Sequence, residues 1–348
     1  MTNYGIIGCG MMGHEHLSNI ALLDGTNIAA IYEPDREMAA SAFKAAPNAI
    51  MATSIEHLLS VSNLDCLVIA SPNHCHMAQM QQIAGSRSLP LLVEKPLFTA
   101  VEDQSAILQF SKTYPSPVWV AMEYRYMPPV AALIDRAEDA TGGIKMLTIR
   151  EHRFPFLRKV GNWNRFNENS GGTFVEKCCH FFDLMRLILK SEPRRIMASA
   201  GQDVNHLNET YDGRPSDILD NGYVIVDFEN GARAMLELCM FAEGSDYQEE
   251  ISVVGPKGKL ETKVPGPARF WPSHLGSPPV PILIESPRHP KGAQQSEIVV
   301  DPILLNAGDH NGSTYYQHKG FLELVRGERS APDRSEEHTS ELQSQFRI

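Results

Sequence analysis

Apolar and polar residues are grouped along the first third of the chain in a way that predicts alternating strands and helices. Short apolar runs occur at residues 4–8, 27–32, 64–70, 91–93 and 118–122. Between them, as near residues 54–60 and 75–84, apolar residues recur every three or four positions. This alternation is typical of a parallel sheet with helices on both faces. We therefore predict an α/β domain over residues 1–124.

In several segments between residue 125 and residue 333, apolar residues recur at every second position. Turn residues separate these segments. Predicted strands lie at residues 145–153, 195–200, 222–228, 232–240, 248–254 and 259–263. Turns such as Glu229-Asn230-Gly231 favour hairpins. We predict a second α/β domain with a large, mostly antiparallel open sheet, covered on one face by helices. Residues 264–300 are predicted to be loops and edge strands, and residues 313–326 a helix.

Residues 170–183 belong to neither pattern. A Gly-Gly pair at 171–172 is followed by apolar residues at helical spacing over 174–189, which predicts a largely buried helix. At about 100° per residue, Glu176, His180 and Asp183 would share one face of that helix. Buried polar groups need partners, so the three face either one another or a pocket. A core histidine held by two acids is the alternative to a catalytic group.

A glycine-rich loop joins the first predicted strand to the first predicted helix. It reads Gly8-Cys9-Gly10-Met11-Met12-Gly13, the G-x-G-x-x-G arrangement in the strand-to-helix context of dinucleotide-binding sites. Gly8 permits the tight turn, Gly10 lets the backbone approach a pyrophosphate, and Gly13 lets the helix pack on the strand. The helix N-terminus then offers free N–H donors to the phosphates. We assign Gly8, Gly10, Met11, Met12 and Gly13 to the cofactor site.

The choice of cofactor depends on Glu33, which ends the second predicted strand twenty residues after Gly13. A carboxylate at this spacing accepts hydrogen bonds from the adenosine ribose hydroxyls. It would also repel a 2′-phosphate, so we predict NAD. Arg36 lies close enough to keep NADP as the less favoured alternative.

Two further polar segments follow predicted strands, at the edge where open α/β sheets bind ligands. We assign both to the cofactor site together with one histidine of the next predicted helix: Ser71, Pro72, Asn73, His76, Glu94, Lys95 and Pro96. A partly desolvated lysine has a lowered pKa, so Lys95 is also a candidate general acid/base near neutral pH. The Lys95–Pro96 bond is a candidate cis peptide.

Composition and net charge limit the kinds of molecule that this protein is expected to bind. The 348 residues carry a formal net charge of −11, so we expect neither a nucleic acid nor an anionic membrane as partner. No apolar run is long enough to span a bilayer, and the N-terminus has no signal-peptide pattern. Six cysteines without a Cys-x-x-Cys pair fit a reducing cytoplasm. Cys178 and Cys179 would point about 100° apart on a helix, so we expect no metal site.

The last residues have the sequence of a foreign tail. Residues 334–344 back-translate naturally to a short-read sequencing adapter. We therefore expect residues 334–348 to be a non-native tail and the true C-terminal sequence beyond about residue 333 to differ.

Taken together, these motifs resemble the Gfo/Idh/MocA oxidoreductases, the family of glucose–fructose oxidoreductase and inositol 2-dehydrogenase. The resemblance covers residues 4–333. It is carried, in the family's order, by the glycine loop, Ser71-Pro72-Asn73, Glu94-Lys95-Pro96, Arg125-Tyr126-x-Pro128 and the Gly-Gly…Glu-x-x-x-His-x-x-Asp segment. It implies a Rossmann domain followed by a substrate-binding and oligomerisation domain.

The resemblance also implies an activity, that of an NAD-dependent dehydrogenase acting on a secondary hydroxyl of a sugar, cyclic polyol or related carbohydrate. His180 would take the hydroxyl proton while hydride passes to the nicotinamide, and Lys95 would hydrogen-bond the same oxygen. Glu176 and Asp183 would orient His180 or bind neighbouring hydroxyls. The family's usual Asp, Gly and Asn are replaced here by Glu176, Cys178 and Glu123.

Three residues are assigned to the substrate, namely Glu123, Arg125 and Trp163. Trp163 belongs to the segment 154–169, which is either a substrate lid or subunit contact, or a solvated basic loop. Two other activities stay open, a redox-neutral cleavage of glycosides by transient oxidation and elimination, and nucleotide sensing without catalysis. Family members often associate through the open sheet face, so a homodimer or homotetramer is expected.

Overall fold

The structure is a computed structural model that describes residues 1–329, so the predicted foreign tail lies outside the described residues. Internal contacts divide the chain into two compact units, each built from separated stretches. Among the described residues, the first unit contains Met1–Glu123, Lys159–Cys179 and residues 314–329. The second unit contains Tyr124–Arg158 and His180–Ser313. The assignment of a function to residues 1–124 and another to residues 125–333 stays a prediction.

The first unit begins with six strands and five helices in strict alternation. In chain order they are β1 (Thr2–Ile7), α1 (Met11–Ile20), β2 (Thr26–Tyr32), α2 (Arg36–Ala45), β3 (Ile50–Ala52), α3 (Ile55–Leu59), β4 (Cys66–Ile69), α4 (His76–Ala84), β5 (Leu91–Val93), α5 (Gln104–Thr113) and β6 (Val118–Val120).

These strands form one parallel sheet in the order β3-β2-β1-β4-β5-β6. The strands β4 and β5 are buried throughout, as expected for strands covered on both faces. The strand order reverses between β1 and β4, which is where ligands bind in such sheets. The loops after these two strands are in close contact, because a Cβ on Gly8 would lie 2.6 Å from the backbone nitrogen of Ser71.

The rest of the chain contains ten strands and six helices among the described residues. They are α6 (Pro128–Thr141), β7 (Met146–His152), α7 (Asn167–Ser170), α8 (Thr173–Glu176), α9 (Cys179–Leu189), β8 (Pro193–Gly201), β9 (Thr210–Tyr211), β10 (Arg214–Pro215), β11 (Asn221–Phe228), β12 (Arg233–Cys239), β13 (Glu249–Val254), β14 (Gly258–Val264), β15 (Ile282–Pro287), β16 (Gln294–Glu297), α10 (Pro302–Ala307) and α11 (Ser313–Val325).

Eight of these strands form the sheet of the second unit, in the order β16-β15-β14-β13-β7-β12-β11-β8. All neighbours are antiparallel except β7 and β12, which run parallel. Buried and less buried residues alternate along β7, β11, β12, β13 and β14, so one face of the sheet is buried and the other is open. Helix α6 packs on β13, β14 and β15. The predicted α/β fold, a Rossmann-type sheet followed by a mostly antiparallel open sheet, is confirmed.

The prediction of one continuous helix after the Gly-Gly pair is wrong. Helix α8 ends at Glu176 and α9 begins at Cys179, so residues 177–178 form a turn. In a continuous helix the Glu176 carbonyl would accept the N–H four residues later. Here that carbonyl accepts a hydrogen bond from the Lys95 ammonium, with Nζ at 2.9 Å. Glu176 therefore does not share a helical face with His180 and Asp183.

Helix α11 returns to the first unit from its second residue onward. Phe321, fully buried, packs edge-on against the rings of Tyr4 and Trp119. A helix thus completes the covering of the parallel sheet late in the chain. Within residues 1–329, none of the helices is long and apolar enough to cross a membrane.

Candidate active site

The glycine loop of the first unit has the shape that a bound dinucleotide requires. At Gly13 an added Cβ would lie 2.3 Å from the Gly8 carbonyl oxygen, so the close packing of α1 on β1 needs glycine there. Gly8 has φ +88, in the region that favours glycine. At Gly10, by contrast, an added Cβ would meet no atom within 4 Å. This open space next to the N-terminus of α1, which has no side-chain cap, fits a pyrophosphate.

Glu33 lies where the sequence places it, at the end of β2. Its Oε2 accepts the Cys9 backbone N–H at 2.6 Å, and its Oε1 accepts the Asp35 N–H at 2.8 Å. The carboxylate is therefore fixed against the glycine loop, and each oxygen keeps a second lone pair for a ribose hydroxyl.

The residues after β4 mainly form hydrogen bonds that hold the backbone around this loop in place. The Ser71 hydroxyl donates to Gln79 Oε1 at 2.6 Å, and the buried Asn73 amide donates to the Ser170 carbonyl at 3.1 Å. The two ring nitrogens of His76 lie 2.8 Å from the Pro96 carbonyl and 3.0 Å from the Ser71 carbonyl. Burial lowers the pKa of His76. His76 thus connects the segment after β4 to the segment after β5.

Lys95 follows β5, and the Lys95–Pro96 bond is cis, as predicted. The side chain is partly buried, and its ammonium donates to the Glu176 carbonyl. The Cys179 thiol donates weakly to the same carbonyl, with Sγ at 3.6 Å. Lys95 is therefore held at the carboxyl edge of the sheet by the last carbonyl of α8.

The expectation that Lys95 has a lowered pKa is wrong. Burial by itself lowers the pKa of Lys95, but the electrostatic effect of Cys179 and the negative charges of three nearby carboxylates raise it by more. These carboxylates belong to Glu94, Glu176 and Glu123, all nearly fully buried. The side chain of Lys95 is therefore an ammonium at neutral pH, suited to donating hydrogen bonds.

A chain of buried polar residues lies behind Lys95. His16 Nε2 donates to Glu94 Oε1 at 3.1 Å, and His16 Nδ1 lies 2.8 Å from His318 Nε2. A carboxylate only accepts, so the hydrogen between His16 and Glu94 belongs to His16 Nε2. Burial raises the pKa of Glu94, but the hydrogen bond and charge of His16 and the charge of Lys95 outweigh burial, and the pKa is lowered. This chain connects α1, the Lys95 segment and α11.

Glu176 and Trp163 are brought together by Lys159, which the sequence placed only in a possible lid. Lys159 Nζ forms an ion pair with Glu176 Oε1 at 3.0 Å and lies 4.4 Å from the Trp163 ring centroid. The Trp163 ring also contacts His74 edge-on at 6.3 Å. The Glu176 carboxylate is therefore paired with Lys159 inside the first unit.

Glu123 is buried beside a second acid. The Thr314 hydroxyl oxygen lies 2.7 Å from Glu123 Oε2 and 2.8 Å from Glu15 Oε1. A hydroxyl donates only one hydrogen, so Thr314 donates to one carboxylate at a time. Both acids are buried, and the charge of Glu123 contributes to the raised pKa of Lys95.

The remaining predicted residues lie in the second unit. The His180 ring stacks on the Tyr124 ring, with centroids 4.2 Å apart and planes 9° apart. Asp183, one helical turn after His180, forms a bidentate ion pair with Arg125, in which Nε lies 3.0 Å from Oδ2. Asp183 and Arg125, which were given separate roles from the sequence, are therefore paired in the structure.

Sequence reasoning assigned no role to Tyr124, Thr314, His318 or His16. Tyr124 had one signal, its place between Glu123 and Arg125. The partners of His16 and Thr314 lie far away in sequence, and no local pattern indicates them.

These features define a class of protein. The parallel sheet, the glycine loop and Glu33 form an NAD(P)-binding Rossmann unit, and ionisable groups suited to proton transfer lie at its carboxyl edge. Residues 2–122 match the family model described as "Oxidoreductase family, NAD-binding Rossmann fold", and residues 137–340 match its "C-terminal alpha/beta domain". The chain belongs to the Gfo/Idh/MocA oxidoreductase family.

Curated relatives and solved structures agree with this. Inositol 2-dehydrogenase of Corynebacterium glutamicum (strain R) is 27% identical over 269 residues, which cover 77% of this chain and 75% of that protein. The fold resembles GenD2 from gentamicin A biosynthesis in complex with NAD (TM-score 0.77, 16% identity, 99% and 91% of the chains). It also resembles KijD10, a 3-ketoreductase from Actinomadura kijaniata, in complex with NADP (TM-score 0.76, 15%, 99% and 95%). At these identities the structures show the fold alone.

The space at Gly10 predicts the effect of one methyl group. In Gly10→Ala the new Cβ meets no protein atom, so the free energy of unfolding should change by less than about 0.5 kcal/mol. The methyl would occupy the place of the pyrophosphate, so NAD⁺ affinity should fall at least about tenfold. Calorimetric titration with NAD⁺ measures this, with Gly244→Ala, equally open and in the second unit, as control. Unchanged affinity in Gly10→Ala would contradict this assignment of the loop.

Burial of His318 predicts a loss of stability in acid. Burial and the charge of His16 hold the pKa of His318 well below its usual value near 6.5, so the unfolded chain binds a proton that the folded chain does not. Stability should fall as pH drops below about 6.5, by up to about 1.4 kcal/mol per pH unit.

His318→Gln keeps an N–H donor for His16 but does not titrate. Its free energy of unfolding in urea should depend less on pH between about 7 and 5 than that of the parent. The exposed His274→Gln should behave like the parent. Equal pH dependence in the parent and His318→Gln would refute the role given to His318.

Proposed function

We propose that this protein is an NAD-dependent dehydrogenase that transfers a hydride between a secondary hydroxyl or ketone of a sugar, cyclic polyol or related carbohydrate and nicotinamide. The main support is Lys95, an ammonium held at the sheet edge that carries the glycine loop. Such a group donates a hydrogen bond to an oxygen on which negative charge develops. The similarity to inositol 2-dehydrogenase supports the substrate class.

The bound nicotinamide would accept or supply the hydride, and the protein residues would handle the proton. His180 accepts the hydroxyl proton as general base. Lys95 donates a hydrogen bond to the same oxygen and stabilises it as the proton leaves. Because its pKa is raised, Lys95 serves as donor, and the base must be another residue. Such acid/base assistance contributes typically about 10²–10⁴-fold to the rate.

The cofactor residues proposed from the sequence keep this role. Gly8, Gly10, Met11, Met12 and Gly13 hold the pyrophosphate. Glu33 receives the ribose hydroxyls, and its charge disfavours a 2′-phosphate, so we propose NAD over NADP. Asp35, whose carboxylate caps α2, adds a second negative charge near Glu33. The segments Ser71–Asn73 and Glu94–Pro96, with His76, form the wall on which the nicotinamide half lies.

The substrate would be bound by Glu123, Arg125, Trp163, Glu176 and Asp183. These residues combine carboxylates, a guanidinium and an indole ring, groups that bind hydroxyls and the apolar faces of sugar rings. In this proposal residues 1–124 bind the cofactor, and residues 125–333 bind the substrate and form the oligomer contact.

We propose a homodimer or homotetramer formed through the open sheet face, as the family resemblance implies. Tyr223, Ile225 and Met197 expose apolar side chains there, and Ile225 and Met197 are neighbours across β11 and β8. Ile225→Glu should shift the sedimenting species towards the monomer, whereas Val299→Glu, at a more exposed position outside the strands, should not. A parent protein that sediments as a monomer would contradict the proposal.

The activity is tested by screening polyols, including myo-inositol, and sugars for NADH absorbance in the presence of NAD⁺. Lys95→Met and His180→Asn should each lower kcat by about 10²–10⁴-fold, because each removes a group that handles the proton. NAD⁺ affinity should change little, which shows that both variants fold. Lys112→Met, which alters an exposed lysine of α5, is the control for loss of a lysine.

A parent protein that binds NAD⁺ but reduces it with no polyol or sugar would overturn the proposal. Sugar released from a glycoside without net NADH would then support redox-neutral cleavage. NAD⁺ binding without any turnover would support nucleotide sensing.

A further inference from the structure

The imidazole of His180 is stacked face to face on a phenol ring. Both residues are nearly fully buried, and their ring centroids are 4.2 Å apart with an interplanar angle of 9°. Phe181 contacts the same Tyr124 ring edge-on at 5.7 Å. His180 therefore cannot rotate without losing this stack.

The phenol ring is itself anchored. The Tyr124 hydroxyl lies 3.3 Å from Glu249 Oε1 and donates to it. The Gln248 side-chain amide donates to the same oxygen at 2.6 Å. Glu249 is buried and begins β13, so the ring is tied to a strand in the middle of the sheet. A fixed strand therefore sets the plane of Tyr124, and Tyr124 sets the plane of His180.

This stacked geometry stabilises the two protonation states of His180 to different degrees. The face of an aromatic ring carries negative charge density, so it attracts a cation placed over it, more strongly when water is excluded. A neutral imidazole gains only ordinary stacking. A phenol that donates to a carboxylate becomes more electron-rich, which strengthens the attraction. The stack therefore favours the imidazolium.

We propose that Tyr124 is a positioning residue that fixes the His180 ring by stacking and stabilises the imidazolium formed when His180 accepts the hydroxyl proton. The catalytic part of this inference rests on the proposed function, in which His180 is the general base. Glu249 acts through Tyr124, by holding the phenol and polarising it. In this step the O–H bond breaks and an N–H bond forms on the imidazole, and the hydride that leaves the same carbon would be taken by the bound nicotinamide.

Other ionisable groups of the second unit lie near the pair. The charge of Asp183 is compensated by its bidentate partner Arg125. The His310 ring lies 6.1 Å from the Tyr124 ring, and Glu151 is the cross-strand neighbour of Glu249. Tyr124 differs from these groups because its ring is in face-to-face contact with the imidazole.

The test compares substitutions of Tyr124 that keep or remove the ring. Tyr124→Phe keeps the stacking face, whereas Tyr124→Leu removes it. Tyr124→Met, which fills the space with a flexible side chain, replaces the Leu variant should that variant fail to fold. The His180 ring is followed by NMR of histidine-labelled protein, and its signal is identified by its absence in His180→Gln.

In the variants without the ring face, the His180 signal should titrate about 0.5–1 pH unit lower, because the cation–π contact that favours the imidazolium is lost. Tyr124→Phe keeps the ring face but loses the polarising hydrogen bond to Glu249, so its value should lie between those of the parent and the ringless variants. In steady-state assays the acidic limb of the kcat/KM profile should move by the same amount to lower pH, since that limb reports the free base.

An unchanged titration of His180 in the ringless variants would overturn the inference, and so would an equal loss of activity at all pH values. The NMR arm needs no substrate, so it decides the stacking effect whether or not the parent is a dehydrogenase. A shifted titration in a protein that oxidises no polyol or sugar would overturn the proposed function and the catalytic part of the inference together.

Discussion

The buried ammonium of Lys95 is the constraint on which the catalytic edge of the first unit depends. A cation so little exposed needs hydrogen-bond acceptors and negative charge around it. The Glu176 carbonyl provides the acceptor, and Glu94, Glu123 and Glu176 provide the charge. The same carbonyl is the last one of α8, and a new helix begins at Cys179. One tertiary hydrogen bond thus ties Lys95 to the turn that precedes the helix carrying His180.

The protonation state of Lys95 bears on the chemical roles that we propose. With its pKa raised, Lys95 is a hydrogen-bond donor in the resting protein, and we propose His180 as the proton acceptor. Glu94 is in turn held by His16, which is held by His318 on α11. The position of Lys95 therefore depends on residues from the first and last helices of the unit. In the second unit, we propose that Tyr124 likewise fixes the position of His180, through contact between rings instead of hydrogen bonds.

Local patterns predicted much of this protein, and long-range contacts decided the rest. The strands, the glycine loop, Glu33 and the cis Lys95–Pro96 bond follow from residues close together in sequence. The break at residues 177–178 could not be predicted, because helical periodicity continues through it and Lys95, which donates to the last carbonyl before it, lies 81 residues from Glu176.

The prediction that the pKa of Lys95 is lowered was wrong for a related reason. Burial alone lowers the pKa of a lysine, and the sequence showed burial but not the carboxylates that outweigh it. The partners of His16, Thr314 and Tyr124 could not be predicted either, because they lie far away in the sequence. Residue types and their spacing thus indicated candidate site residues, whereas their pairings and pKa shifts required the folded chain.

The most direct test of the proposed oxidoreduction is to follow deuterium from substrate to cofactor. A polyol or sugar that is oxidised in the screen would be prepared with deuterium on the reacting carbon and incubated with NAD⁺. Direct hydride transfer predicts that the NADH formed carries one deuterium per molecule of ketone produced. Unlabelled NADH, or conversion of the substrate without stoichiometric NADH, would contradict a dehydrogenase in which the nicotinamide takes the hydride.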